Sequence, residues 1–168
     1  MNKNLNKENL GILLQAKEVI SKIDDTQFSF NDSPLFLSSA GMHFRHVLDF
    51  YTAFSEGYKN KEIDYDKRER NEEVAIKREV CSGEIVKIIS FLNSIENIDM
   101  GSAVTIITIE GITGNSSRAE STIGRELQFL LSHTVHHYAI IAMILKIQGA
   151  QLPQYFGIAQ STIEFYNY

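Results

Sequence analysis

Cysteine, proline and basic charge are all scarce in this chain of 168 residues. Cys81 is the single cysteine, so no internal disulfide can form and nothing points to a cross-linked secreted scaffold. Two prolines and ten glycines are too few for collagen-like or low-complexity classes. Lys and Arg number 16 against 21 Asp and Glu, a net charge of −5. A protein that grips nucleic acid through phosphates usually presents a basic surface, so no nucleic-acid partner is expected. The polar start, Met1 to Leu10, lacks the apolar stretch of a secretory leader, and no unbroken apolar run approaches the roughly 20 residues of a bilayer span. A cytoplasmic location without a membrane partner is the expectation.

What is present is a chain that is 43% hydrophobic, long enough to bury a core as one domain over residues 1–168. Helical spacing of apolar residues predicts four helices, over about Lys7–Ile23, Ser38–Tyr58, Arg70–Ile95 and Ser121–Gln148. Gly83 weakens the third, by about 1 kcal/mol relative to Ala. The polar stretch from Ser29 through Asp32, Ser33 and Pro34 reads as a loop. Between the third and fourth helices, Ala103–Ile109 is β-branched at six of seven positions. Turn chemistry follows at Glu110, Gly111, Thr113, Gly114 and Asn115. The expected fold is therefore all-α, a four-helix bundle with a short strand or hairpin inserted before the last helix.

All five histidines fall in two places: His43 and His46 on the second helix, and His133, His136 and His137 on the fourth. At 3.6 residues per turn, His137 lies about 40° from His133, within the stripe of Leu130, Ile141 and Ile144, whereas His136 lies at about 300°, off its edge. Two imidazoles at i and i+4 can grip one cation. A pair of buried, hydrogen-bonded structural histidines fits the same spacing. On the second helix, phase places His43 closer than His46 to the stripe of Val47, Tyr51 and Tyr58, without settling which would be a third ligand.

The segments Ser39–Asp49, Ser132–Tyr138 and Leu145–Gly149 resemble the DinB-like superfamily, the DNA-damage-inducible and bacillithiol S-transferase-like proteins. The resemblance implies a four-helix bundle holding a divalent metal with three histidines, one from the second helix and an H-x-x-x-H pair from the fourth. Its helix-two motif ends H-x-x-D, which selects His46 with Asp49, and the pair matches His133 and His137. Tyr65–Arg70 and Phe156–Ile163 also look like features of one branch of that family. Ile140 stands where many relatives carry a glutamine, which puts the thiol-transferase chemistry of some of them in doubt for this chain.

Three neutral imidazoles leave a divalent cation with an open position, whereas structural zinc sites are closed by four protein ligands. Zinc, nickel, iron and manganese all suit imidazole. Glu126, two turns before His133 at about 20° on the same wheel, is a candidate base or outer acceptor, or else a buried salt-bridge partner. Asp49 and His43 are candidates to orient an imidazole from behind, although Asp49 reads equally as a solvated helix charge. Tyr65, Arg68 and Arg70 could bind a substrate anion, or simply form an ion-pair cluster with Asp66. Cys81 reads as a small buried hydrophobe rather than a nucleophile. The leading expectation is a metal-dependent enzyme acting on a small molecule, by hydrolysis or thiol transfer. The competing one is a non-catalytic helical protein that binds metal for stability or not at all. A homodimer is compatible with either.

Overall fold

Side-chain caps mark where four of the helices begin in the computed structural model, which describes residues 5–31, 37–67, 70–109 and 114–166. Helix α1 (Leu5–Lys22) is followed by a short α2 (Asp25–Ser29), whose start is closed by a capping box between Asp24 and Gln27. Ser39 caps α3 (Ala40–Gly57) by accepting from the Met42 amide at 3.1 Å. Asn71 does the same for α4 (Glu72–Ile76), and Thr122 for α6 (Ile123–Ile147). Between α4 and α6 lies α5 (Arg78–Ser94), and α7 (Gln160–Tyr166) closes the described chain. The bundle is α1, α3, α5 and α6: α1 and α3 each pack against both α5 and α6.

The expected third helix is two pieces. Lys77 adopts an extended conformation (φ −117°, ψ 107°), so α4 and α5 meet at a corner rather than running on. No glycine or proline marks that corner, and Val74, Cys81 and Ile85 are buried on either side of it, which makes one continuous stripe in the sequence. Gly83 sits inside α5 with open space around the missing side chain. The short α2 and α7 carry too few apolar residues to show a period.

The inserted strand is a hairpin, β2 (Ala103–Ile109) against an antiparallel β3 (Ser116–Thr122) that runs straight into α6. A strand absent from the sequence reading, β1 (Glu62–Asp64), pairs parallel to β2 with Ile63 opposite Ile106, giving the order β1–β2–β3. Strand β1 crosses the end of α3 so closely that a Cβ on Gly57 would lie 2.3 Å from the Glu62 carbonyl oxygen. Arg68, the loop residues Asp32, Ser33 and Pro34, and the turn residues Glu110, Gly111 and Thr113 lie outside the described residues.

Phe28, Phe44, Phe54, Leu13, Ile85 and Leu127 are among the side chains that fill the core. Polar side chains from α1 also enter it. Asn9 Nδ2 donates to the Leu127 carbonyl at 3.0 Å, while Asn9 Oδ1 accepts from the Tyr51 hydroxyl at 2.6 Å. Thr134 donates to the Leu130 carbonyl and lies 3.4 Å from the Tyr51 oxygen. Asn6 donates to the Leu92 carbonyl at 2.7 Å. Each such bond contributes about 1 kcal/mol net, and leaving one partner buried and unmade costs about 1–3 kcal/mol. Helix α6 is long and apolar enough to cross a bilayer by length and composition, but Leu127, Leu130, Ile141, Ile144 and Leu145 point into this core.

Candidate metal centre

Helices α3 and α6 lie against one another, and their histidines meet at that contact. His46 comes from α3, and His133 and His137 come from successive turns of α6. One ring nitrogen from each lies within 4.8 Å of the other two, and all three residues are half-buried. The ring centroids are 5.1 Å apart for His46 and His133, 4.5 Å for His46 and His137, and 4.6 Å for His133 and His137. Three imidazole nitrogens converging from two rigid helices could hold a metal ion, and only the neutral ring can be a ligand. Burial, followed by the nearby His46, His133, His43 and His136, lowers the His137 pKa to about 3. The ring is therefore neutral at any physiological pH, and the donor set fits a divalent cation.

His43 does not join this group. It stands behind it, with Nδ1 2.9 Å from His137 Nδ1 and Nε2 2.7 Å from Ser38 Oγ. Burial, then the charge of His136, lowers its pKa as well. Helix phase favoured His43 because it lies nearer the stripe. A bundle helix that touches two neighbours buries a wider face, and that width is enough to turn His46 inward. His136 is exposed, edge-on to His137 with centroids 5.2 Å apart.

An aromatic wall closes one side of the site. Phe50 lies 4.4 Å from the His133 ring and 5.0 Å from the His46 ring, and Phe129 stacks on His133 at 5.6 Å. Tyr65 packs against both phenyl rings, at 5.3 and 5.4 Å. Sequence reasoning passed over Phe50 and Phe129, although each is one helical turn from a histidine, Phe50 after His46 and Phe129 before His133. That spacing was the available signal.

Behind the wall, Glu126 is buried, and both carboxylate oxygens are engaged. Oε2 accepts from the Tyr65 hydroxyl at 2.8 Å and Oε1 from the Ser121 hydroxyl at 2.5 Å. These two partners are hydroxyls rather than the cation of a buried salt bridge. Burial and then the Glu126 charge push the Tyr65 pKa upward, so Tyr65 stays a hydrogen-bond donor and is itself buried. Asp49 lies 3.9 Å from Arg45, which is 3.3 Å from Glu72, and lines a groove with Thr52, Glu56, Asn71 and Glu84. Arg70 is exposed, and Asp66 accepts from the Ile109 amide at 2.7 Å. Burial pushes the Cys81 thiol up to about 12, as befits a small core residue. Ile140 is half-buried against the core.

No protein-family model matches the chain. By sequence it is 31% identical over 103 residues to FK506-binding protein 5 of Rhizopus delemar, a match that takes in 61% of this chain and 27% of that one. The chain thus spans about a quarter of that protein's length. By structure it superposes on the crystal structure of YjoA, a DinB-like protein from Bacillus subtilis, with a TM-score of 0.59 over 92% of this chain and 98% of the other, at 15% identity. The fold is DinB-like.

Proposed function

We propose that this chain, on its DinB-like fold, is a metal-dependent enzyme in which His46, His133 and His137 hold a divalent cation and a small molecule reacts by hydrolysis or thiol transfer. The observation that carries the reading is the approach of three imidazole nitrogens to within 4.8 Å of one another. Among the described residues, that group contains no carboxylate or thiol to complete a closed four-ligand site. A divalent cation so held supplies Lewis acidity and open positions for water, a thiolate or a carbonyl oxygen. Zinc, nickel, iron and manganese all suit such donors. Phe50 and Phe129 pack apolar rings against His133 on one side of the group. A small molecule or thiol is the partner this arrangement suits, and the cytoplasm is its proposed compartment.

A second reading, metal binding without catalysis, draws on Glu126. With both oxygens already accepting hydrogen bonds, it must release one before it can act as a base. Element analysis of untagged protein tests the common ground. Wild type should carry about one equivalent of metal and His133→Ala should lose it. Undiminished metal in the variant would refute the site.

A further inference from the structure

The geometry points to His43, anchored by Ser38, as the positioning residue that accepts from His137 Nδ1 and fixes the angle at which the His137 ring meets a cation, an inference that rests on the three-histidine reading above. A neutral imidazole carries one N–H and one bare nitrogen. The 2.9 Å contact joins Nδ1 of His43 to Nδ1 of His137, so one ring must donate and the other accept. Two proton arrangements meet that condition. In one, His137 donates from Nδ1 and leaves its Nε2 bare. His43 then accepts at Nδ1, carries its own proton at Nε2, and donates that proton to Ser38 Oγ across 2.7 Å. In the other, every proton runs the opposite way, and His137 Nε2 is capped by hydrogen.

Only the first arrangement leaves His137 Nε2, the nitrogen that His43 does not engage, without a proton and able to act as the ligand. The Ser38 hydroxyl can donate or accept, so it tolerates both. A cation at one end of the chain selects the first, and the chain in turn holds the His137 ring at a fixed angle. Its far end is rigid as well. Ser38 adjoins Ser39, whose side chain caps α3 through the Met42 amide, and the His43 amide donates to the Ser39 carbonyl at 3.3 Å. The ring that orients the ligand is thus set by the first turn of its own helix.

The test is zinc affinity of the full chain, measured by competition with a chromophoric chelator, for wild type, His43→Leu, His43→Asn and Ser38→Ala. Loss of such an outer partner typically weakens metal binding about 10- to 100-fold, and that loss is expected for His43→Leu. His43→Asn keeps an amide oxygen able to accept in place of Nδ1 and should recover most of it. Ser38→Ala should lose less than His43→Leu. In the zinc-loaded wild type, nitrogen NMR should show His137 bound through Nε2 and protonated at Nδ1, a readout that needs no variant to fold. His137 bound through Nδ1, a His43→Leu affinity equal to wild type, or His43→Asn no better than His43→Leu would overturn the inference. Tight binding by wild type with an unchanged His43→Leu removes the role of His43 alone. Zinc binding by wild type no tighter than by His133→Ala removes the three-histidine site itself, and this inference with it.

Discussion

The hydroxyl of Tyr65 donates to Glu126 Oε2 across 2.8 Å, tying the segment after β1 to the first turn of α6. Ser121, from the last part of β3, donates to the other oxygen of the same carboxylate. One buried acid therefore joins the sheet and its following segment to the helix that carries His133 and His137. Glu126→Leu would leave two hydroxyls without their acceptor. A destabilisation of about 2 kcal/mol or more is expected in denaturant unfolding. Glu126→Gln should keep much of that stability and keep its metal, because the amide oxygen still accepts and the hydroxyls can rotate to meet the amide N–H. Metal loss in Glu126→Gln would show that the acid acts on the centre directly.

The two histidines of α3 should separate clearly. His46→Ala removes a ligand and should weaken metal binding far more than His43→Ala, which removes only a contact to one. Isothermal titration with zinc measures both. The reverse order would mean that helix phase, rather than the H-x-x-D motif, identified the ligand.

An open coordination position should be visible in cobalt-substituted protein. Azide or a small thiol should change the visible absorption at concentrations that leave the far-ultraviolet dichroism intact. A spectrum indifferent to added ligand would mean that a fourth protein group closes the site, and would favour the non-catalytic reading.

Acid should weaken the metal-free fold through the half-buried imidazoles. The folded-state pKa of His137 is about 3, below the ordinary 6.5, and that of His43 is also lowered. Between pH 6.5 and about 3 the unfolded chain takes up protons that the folded chain refuses. The contribution of His137 is therefore fully present above pH 6.5 and lost as pH falls through that window. In chelator, the melting temperature of wild type should drop more steeply on acidification than that of His137→Gln. Parallel curves for the two proteins would contradict the neutral state of the ring.

Much of this was legible in the residues, and the parts that were not have physical reasons. The i,i+4 spacing placed His133 and His137 on one inward face without help. His46 needed the motif, because a helix contacting two neighbours has no sharp boundary to its buried side. Strand β1 has three residues, and its pairing with β2 is parallel and distant in sequence, so no local pattern announces it. The corner at Lys77 is invisible for the opposite reason. The apolar spacing continues straight through it, and an extended lysine has no distinctive chemistry.

Asn9 reaches from α1 to the Leu127 carbonyl on α6 and to Tyr51 on α3, while Thr134 on α6 approaches the same Tyr51 oxygen. Tyr51 follows His46 by five residues, and Thr134 is the immediate neighbour of His133. Sliding α3 along α6 by one turn would leave these groups facing hydrocarbon, so they act as a vernier, admitting one longitudinal setting of the two helices. The three imidazoles need that setting, since a displacement of one turn is about 5.4 Å, comparable to the whole width of the cluster. Metal affinity should therefore report on the fine alignment of the bundle, and Asn9→Ala, although remote from the histidines, should loosen the grip on the ion in protein that still unfolds cooperatively.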